Sequence, residues 1–483
     1  MSRAENGFRP GRFRPGETPG EAPASGAIFL LALFALRWLA GIVENAGVPA
    51  LSQAAALVML VGLGLSFLFR MRLAADATLL LAGIGAWILG GLASLAANPG
   101  LALLPTLELL ALLTLYALFA NASLTRLNGR GALRLARDLL RAFLLIGGVL
   151  SVWQVASGNG FVEQGRATLQ RAYGSDVHPV SFAIQLVAAM VALEVTRLRL
   201  GARAGVLHLA CMGLGVAALY LTYARTAWLM GALTLALPLL LQGPPARRLL
   251  AGLGGGLALL GLVLGSDRFA DLASLPEFWA GFAWDDVVFD WRYIDNSLSW
   301  RVVNWSYGLH QALERPVLGY GPGQSASSSY FALEMHNIFL EAFFEGGLIG
   351  LAALLLVLAG LVRLHRRLPR RTATDRRIRL LSNGFGLALL LGVTFSTSFV
   401  DQLMSFLLYL LLIGLASCTP TEARPPGASA PAATPTLPEA PARSPAPQLR
   451  NRGTGPFWHR SRPPGQGGER RLPFPTPHAT FPP

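Results

Sequence analysis

A chain of 483 residues that is 53% hydrophobic and only 14% charged is not a soluble globular protein, which carries about 25% charged residues. Its formal charge of +14 rests on 40 basic residues, all of them arginine, and these sit in short segments beside apolar runs, which speaks for membrane topology and against nucleic-acid binding. Two cysteines, Cys211 inside an apolar run and Cys418 at the end of the last one, leave the polar loops without a disulfide framework or a cysteine-based metal site.

Residues 1–26 are polar, basic and Pro/Gly-containing, and are expected to form a disordered cytoplasmic N-terminus. They do not read as a cleaved signal: no clean small-x-small site follows, and Arg37 and Glu44 interrupt the first apolar run. Twelve runs are then predicted as spans, at 27–46, 51–69, 74–96, 100–120, 139–157, 179–197, 203–222, 225–242, 248–265, 337–362, 380–398 and 400–417. Each approaches the roughly 20 residues that cross a bilayer. With the N-terminus inside, the arginine clusters at 70–73, 121–138, 198–202, 243–247 and 363–379 all fall on the inner side, as the positive-inside rule requires. The two long polar loops, 158–178 and 266–336, then share the outer face. Residues 418–483 are rich in Pro, Ala, Ser and Arg and are expected to be a disordered cytoplasmic tail.

The residues suited to chemistry lie on that outer face. The smaller loop carries Arg166, Arg171 and His178. Arg225 opens the eighth run. An interfacial anchor would explain it, but a cation at a helix N-terminus opposes the macrodipole, and beside free backbone N–H groups it makes an anion site. Apolar residues at 298, 302, 305, 309 and 313 predict a helix, with Arg301, Asn304 and Gly308 on a neighbouring face and Pro316 as its stop. A helix lying on the membrane surface explains that stripe equally well, so the pattern alone leaves the role of Arg301 open. Gly319-Tyr320-Gly321-Pro322-Gly323 lacks a following Gly-Lys-Ser/Thr and predicts a chain reversal, not a phosphate loop. Asn337 is a good helix N-cap. His336 beside it is suited to proton transfer, although a lone histidine is also compatible with a purely structural role. Asn337, Glu341 and Glu345 share one helix face. The two buried acids are expected to pair with Arg225 or Arg301. Arg37 is an intramembrane cation expected to pair with a carboxylate. No Ser/His/Asp order, Walker loop or metal cluster is visible. Convergent arginine and one base suit transfer from a phosphate-activated donor, with arginine on the leaving group and the base on an acceptor hydroxyl.

Several short motifs occur together and in one order: Arg171-Ala-Tyr-Gly174 with His178-Pro179, Arg225-Thr-Ala-Trp228, Arg301 with Trp305, Pro316-Val-Leu-Gly319-Tyr-Gly321-Pro-Gly323, and His336-Asn337-Ile-Phe-Leu340-Glu341 with Gly346-Gly347-Leu348-Ile349-Gly350. In this the chain resembles the O-antigen ligase and O-antigen polymerase superfamily of bacterial envelope enzymes. The resemblance implies an all-α polytopic fold of the membrane glycosyltransferase (GT-C-like) type, with its large periplasmic loop between the ninth and tenth spans. It implies an inner-membrane enzyme without metal or cofactor, whose donor is a glycan on undecaprenyl pyrophosphate. The acceptor is a lipid A core sugar in a ligase and another repeat unit in a polymerase. It also implies Arg225, Arg301 and His336 as catalytic residues. Arg166, Arg171, His178, Trp305, Asn337 and Glu341 are the expected substrate contacts around them. Residues 266–296, with Trp279, Trp284, Asp285, Asp286, Asp290 and Trp291, match nothing in the family and are expected near acceptor sugar. A twelve-span transporter or flippase is the rival class, but the internal repeat and mid-membrane breaks of a carrier are not evident.

Overall fold

The apolar runs become helices. The computed structural model describes residues 25–242 and 297–418, apart from 49, 71–72, 99, 101, 163–169, 177, 330 and 396–401, together with isolated positions between 245 and 276. In chain order these are α1 (Ser25–Asn45), α2 (Leu51–Arg70), a 3-10 turn (Ala75–Ala77), α3 (Thr78–Ala97), α4 (Leu103–Arg126), α5 (Gly129–Ala156), β1 (Phe161–Val162), β2 (Gln170–Arg171) and α6 (Pro179–Arg199). There follow α7 (Val206–Leu221), α8 (Arg225–Gln242), α9 (Ser297–Ala312), α10 (Ser325–Ser328), α11 (Ile338–Arg367), α12 (Ala373–Phe395) and α13 (Leu403–Ser417). The antiparallel β1–β2 pair, with Phe161 opposite Arg171, is a small departure from an all-α chain.

Among the described residues, seven helices are long and apolar enough to cross a bilayer, α1 to α6 and α11, and α7 and α13 are shorter apolar helices. The chain is thus a mostly helical, multi-pass membrane protein. Helices α8 and α12 fall on the eighth and eleventh predicted runs. The ninth, 248–265, lies largely outside the described residues, as do most of 266–296 and everything from 419 onward. Outward faces expose Leu57, Leu65, Leu104, Leu209 and Leu391, side chains as apolar as the lipid tails they would meet.

Two expected basic loops are mostly helix. Helix α4 runs on to Arg126 and α5 starts at Gly129, while α11 reaches Arg367 and α12 begins at Ala373. The reason is amphipathicity: in α5, Leu133, Ala136 and Leu140 are buried while Arg130 and Arg134 face out.

Helix α6 is buried over nearly its whole length, on every face, the pattern of a helix packed on every side. Two of its polar side chains find partners inside the bundle: Gln402 donates to the Ser181 hydroxyl at 2.7 Å, and the Gln185 amide N–H bonds the Asp176 carboxylate.

The helix ends fall into two groups. At one end of the bundle Arg199 pairs with Asp375 at 2.7 Å, Arg377 with Glu194 at 3.0 Å, and Arg367 with Asp76. At the other, the Asn45 amide donates to the carbonyls of Gly174 (3.2 Å) and Asp176 (2.9 Å). There Gln154 accepts from Tyr173 and Gly174 N–H, and Ala172 N–H donates to Leu221 O at 2.9 Å. Arg37 lies in the field of Asp176 and Glu44.

Helix α11 is broken. Gly347 has φ 60° and ψ −152°, a region open essentially to glycine alone. The backbone groups freed there bond the 316–321 segment: Tyr320 N–H to Phe344 O (2.8 Å), Gly321 N–H to Glu345 O (2.9 Å) and Leu348 N–H to Pro316 O (2.8 Å). Irregular backbone at membrane depth needs such internal partners. The Glu345 carboxylate also accepts from Ser325 N–H at 3.1 Å and from Gly323 N–H. Residues 319–323 therefore form the predicted chain reversal. The expected pairing of Glu345 with Arg225 or Arg301 is corrected, because its carboxylate serves the backbone of this turn. A Cβ at position 347 would strike the Val317 backbone. Gly347→Ala should lower stability by at least about 1–3 kcal/mol, the backbone cost alone. A thermal midpoint equal to wild type in detergent would show that the break is not required.

Candidate active site

The site is assembled on α9. Its inward face is Val303, Asn304, Gly308 and Ala312, while Leu309 and Leu313 are exposed. The helix is as predicted, but the apolar stripe is not the face that packs. Two hydrogen bonds explain the choice. Asn304 Nδ2 donates to Glu334 O at 2.9 Å, and Trp305 Nε1 donates to Met335 O at 2.7 Å. Gly308 leaves room for the Met335 side chain, whose Sδ would lie 2.5 Å from an added Cβ. Helix α9 thus clamps the backbone just before His336. Trp305 acts there through its indole N–H as a positioning residue.

His336 itself has φ 48°, left-handed backbone that is uncommon outside glycine. Its ring meets Trp300 edge-on at 5.2 Å, and the Arg301 guanidinium lies 5.3 Å from the same Trp300 ring, within cation–π range. Trp300 therefore links Arg301 to His336. Its position beside Arg301 was the one sequence cue to it. Burial, with the nearby charges of Arg301 and His178, lowers the His336 pKa from 6.5 to about 4. The imidazole is neutral at pH 7, and its Nδ1 is buried with no hydrogen-bond partner among the described residues.

His178, from the smaller loop, lies close enough to His336 to act on it electrostatically. It caps α6, with Nδ1 accepting from Val180 N–H at 3.2 Å and Pro179 in the first turn, the position where proline fits. A neutral His178 therefore carries its proton on Nε2. Asn337 caps α11 in the predicted way, accepting from Phe339 N–H (3.0 Å) and Leu340 N–H (3.1 Å). Glu341 is buried one turn further along.

Arg225 is the first residue of α8. The turn before it is fixed twice. Tyr223 has φ 50°, and the carbonyl of Thr222 accepts from Arg171 Nε at 2.9 Å. Arg171 is buried and reinforces the turn that presents Arg225. Trp228 closes the same corner, donating to Leu219 O at 2.6 Å and stacking on Tyr220 at 5.4 Å. Arg166 lies outside the described residues.

His336, Arg301, Trp300 and His178 are thus brought together. The loop contacts described above set the N-termini of α6 and α8 at one end of the bundle, and the field of His178 at His336 places the N-terminus of α11 near them. Helix N-termini with arginine favour an anion, and a neutral imidazole beside them can take a proton. No group of three His, Cys, Asp or Glu comes together among the described residues.

No curated protein matches the chain significantly. Residues 210–355 match the family model described as O-Antigen ligase. That stretch holds Arg225, Arg301, Trp305, His336, Asn337 and Glu341, the broken part of α11 and the turn stitched into it. It leaves out Arg166, Arg171 and His178. Residues 210–355 of this chain are a domain of the O-antigen ligase family.

Proposed function

We propose that this protein is an inner-membrane glycosyltransferase of the ligase type, with both termini cytoplasmic and residues 27–417 as its catalytic domain. It moves a glycan from undecaprenyl pyrophosphate to a sugar hydroxyl of the lipid A core on the periplasmic face. The observation that carries this reading is the meeting of a neutral, buried His336 with Arg301 and His178 at one end of the bundle. The acceptor hydroxyl attacks the anomeric carbon of the donor sugar and gives its proton to His336. The bond from that carbon to pyrophosphate oxygen breaks, and undecaprenyl pyrophosphate leaves with its charge held by Arg225 and Arg301. Two of the positive-φ non-glycine residues, Tyr223 and His336, hold or precede the proposed catalytic groups. Strain of this kind gathers where function over-determines the backbone.

A polymerase uses the same donor chemistry with a different acceptor. The two separate in a deletion strain. A ligase leaves long polymerised glycan on its lipid carrier and none on lipid A core. Single repeat units attached to the core would instead make the protein a polymerase.

A further inference from the structure

A cleft of 420 Å³ runs between α11, α12 and α13, from beneath Ile338 down to Arg366, Arg370 and Arg379 at the opposite end from His336. Its walls are apolar, with Leu358, Leu361, Leu390, Val393 and Phe406 among them. His365 Nε2 bonds Tyr409 Oη at 2.7 Å inside it, so those two polar atoms are satisfied within the wall. The three arginines at the mouth make no ion pair among the described residues, although neighbouring basic residues do: Arg367 with Asp76, Arg377 with Glu194. Arg366 and Arg370 are exposed, and the Nε of Arg379 is buried without a hydrogen-bond partner.

The dimensions fit one lipid. Below the break at Gly347 the α11 residues lining the cleft run from Leu354 to Arg366, a rise of about 18 Å at 1.5 Å per residue, close to the ~15 Å hydrocarbon depth of one leaflet. The volume lies in the usual range for a small-molecule site, about 300–1,000 Å³. Basic pockets between membrane helices on the cytoplasmic side hold anionic head groups.

We infer that this cleft is a binding site for a single anionic phospholipid. Its acyl chain lies along α11 and α12, and its phosphate sits on Arg366, Arg370 and Arg379. The cations stand at the end of the bundle away from His336, so the site is separate from the donor's pyrophosphate. It does not depend on the transfer reaction proposed above; only the naming of the leaflet as cytoplasmic uses the arginine-based topology.

The full-length protein in phosphatidylcholine nanodiscs, with and without phosphatidylglycerol, tests this by native mass spectrometry after release into detergent. Wild type should retain phosphatidylglycerol in preference to phosphatidylcholine. Each near-surface arginine contributes about fivefold, so R366Q/R370Q/R379Q should lose about a hundredfold in phosphatidylglycerol affinity. Leu358→Trp keeps the arginines and fills the wall, and should also lose the lipid. Arg363, Arg367, Arg371, Arg376 and Arg377 remain in the triple variant, which keeps the positive-inside signal. Equal retention of both lipids, full retention by either variant, or displacement of phosphatidylglycerol by millimolar inorganic phosphate alone would each overturn the proposal.

Discussion

Replacing His336 with asparagine should lower glycan transfer by about 10²–10⁴-fold, the usual contribution of a positioned general base, while the protein remains inserted and folded. Asparagine is the informative substitution. His336 sits at φ 48°, and asparagine tolerates the left-handed region better than other non-glycine residues, so loss of the base is separated from loss of the turn. Acidity gives an independent check. The folded pKa is about 4, below the ordinary 6.5, so the base form is complete at neutral pH. In the free enzyme kcat/KM should stay flat through neutral pH and fall as pH drops through about 4. A bound pyrophosphate offsets the charge of Arg301, so kcat should fall at a higher pH than kcat/KM. The stability sign follows from linkage. The unfolded chain takes the proton first as pH falls, so the stability due to neutral His336 is full above 6.5 and lost between 6.5 and about 4. The His336→Asn protein should lack that part of the acid loss. Near-normal transfer by a well-folded His336→Asn protein would remove His336 from the mechanism.

What could be read from the sequence was local. The Asn337 cap is set by neighbours within a few residues and the reversal at 319–323 is signalled by its own glycines and proline, and both stand in the structure. The helix over α9 was also legible from its period. Its packed face was not, because Asn304 and Trp305 bind carbonyls of residues 334 and 335, and no periodicity encodes such a partner. Glu345 was misassigned for a related reason. A buried acid suggests a cation, yet backbone N–H groups satisfy a carboxylate equally well, and those of Gly323 and Ser325 do so here. The electrostatic reach of His178 to His336 depends on which helix ends the tertiary fold gathers, and no local pattern encodes that. Arg171 is similar: it reads as a free outer-face cation, but the Thr222 carbonyl at the end of α7 takes its Nε. The extension of helix into 121–138 and 363–379 was hidden because arginine-rich segments read as loops in a membrane chain, although Arg130 and Arg134 simply line the outer side of an amphipathic turn.

Arg301→Lys and Arg225→Lys should each lose about 10–150-fold in kcat/KM, although both keep the charge. A guanidinium offers a planar fork of donors that matches phosphate oxygens two at a time, and an ammonium presents a point charge. Losing one charge-assisted hydrogen bond costs about 1.5–3 kcal/mol, which is that range of rate. The two positions should differ in character. Arg301 lies over Trp300, which also touches His336. Its loss should raise the His336 pKa only if the positive charge goes as well, so Arg301→Gln should shift the acid limb of kcat/KM upward while Arg301→Lys leaves it in place. Arg225 begins α8 on a turn fixed by Tyr223 and Arg171, and it is not among the charges that lower the His336 pKa. Arg225→Lys and Arg225→Gln should therefore both lower the rate without moving the limb. Tight binding of undecaprenyl pyrophosphate should weaken in all four proteins, because it is the product that carries the charge. Two lysine variants that transfer glycan at the wild-type rate would reduce these arginines to anchors or general sources of field. An Arg301→Gln protein with an unmoved acid limb would separate Arg301 from His336 even if its rate fell.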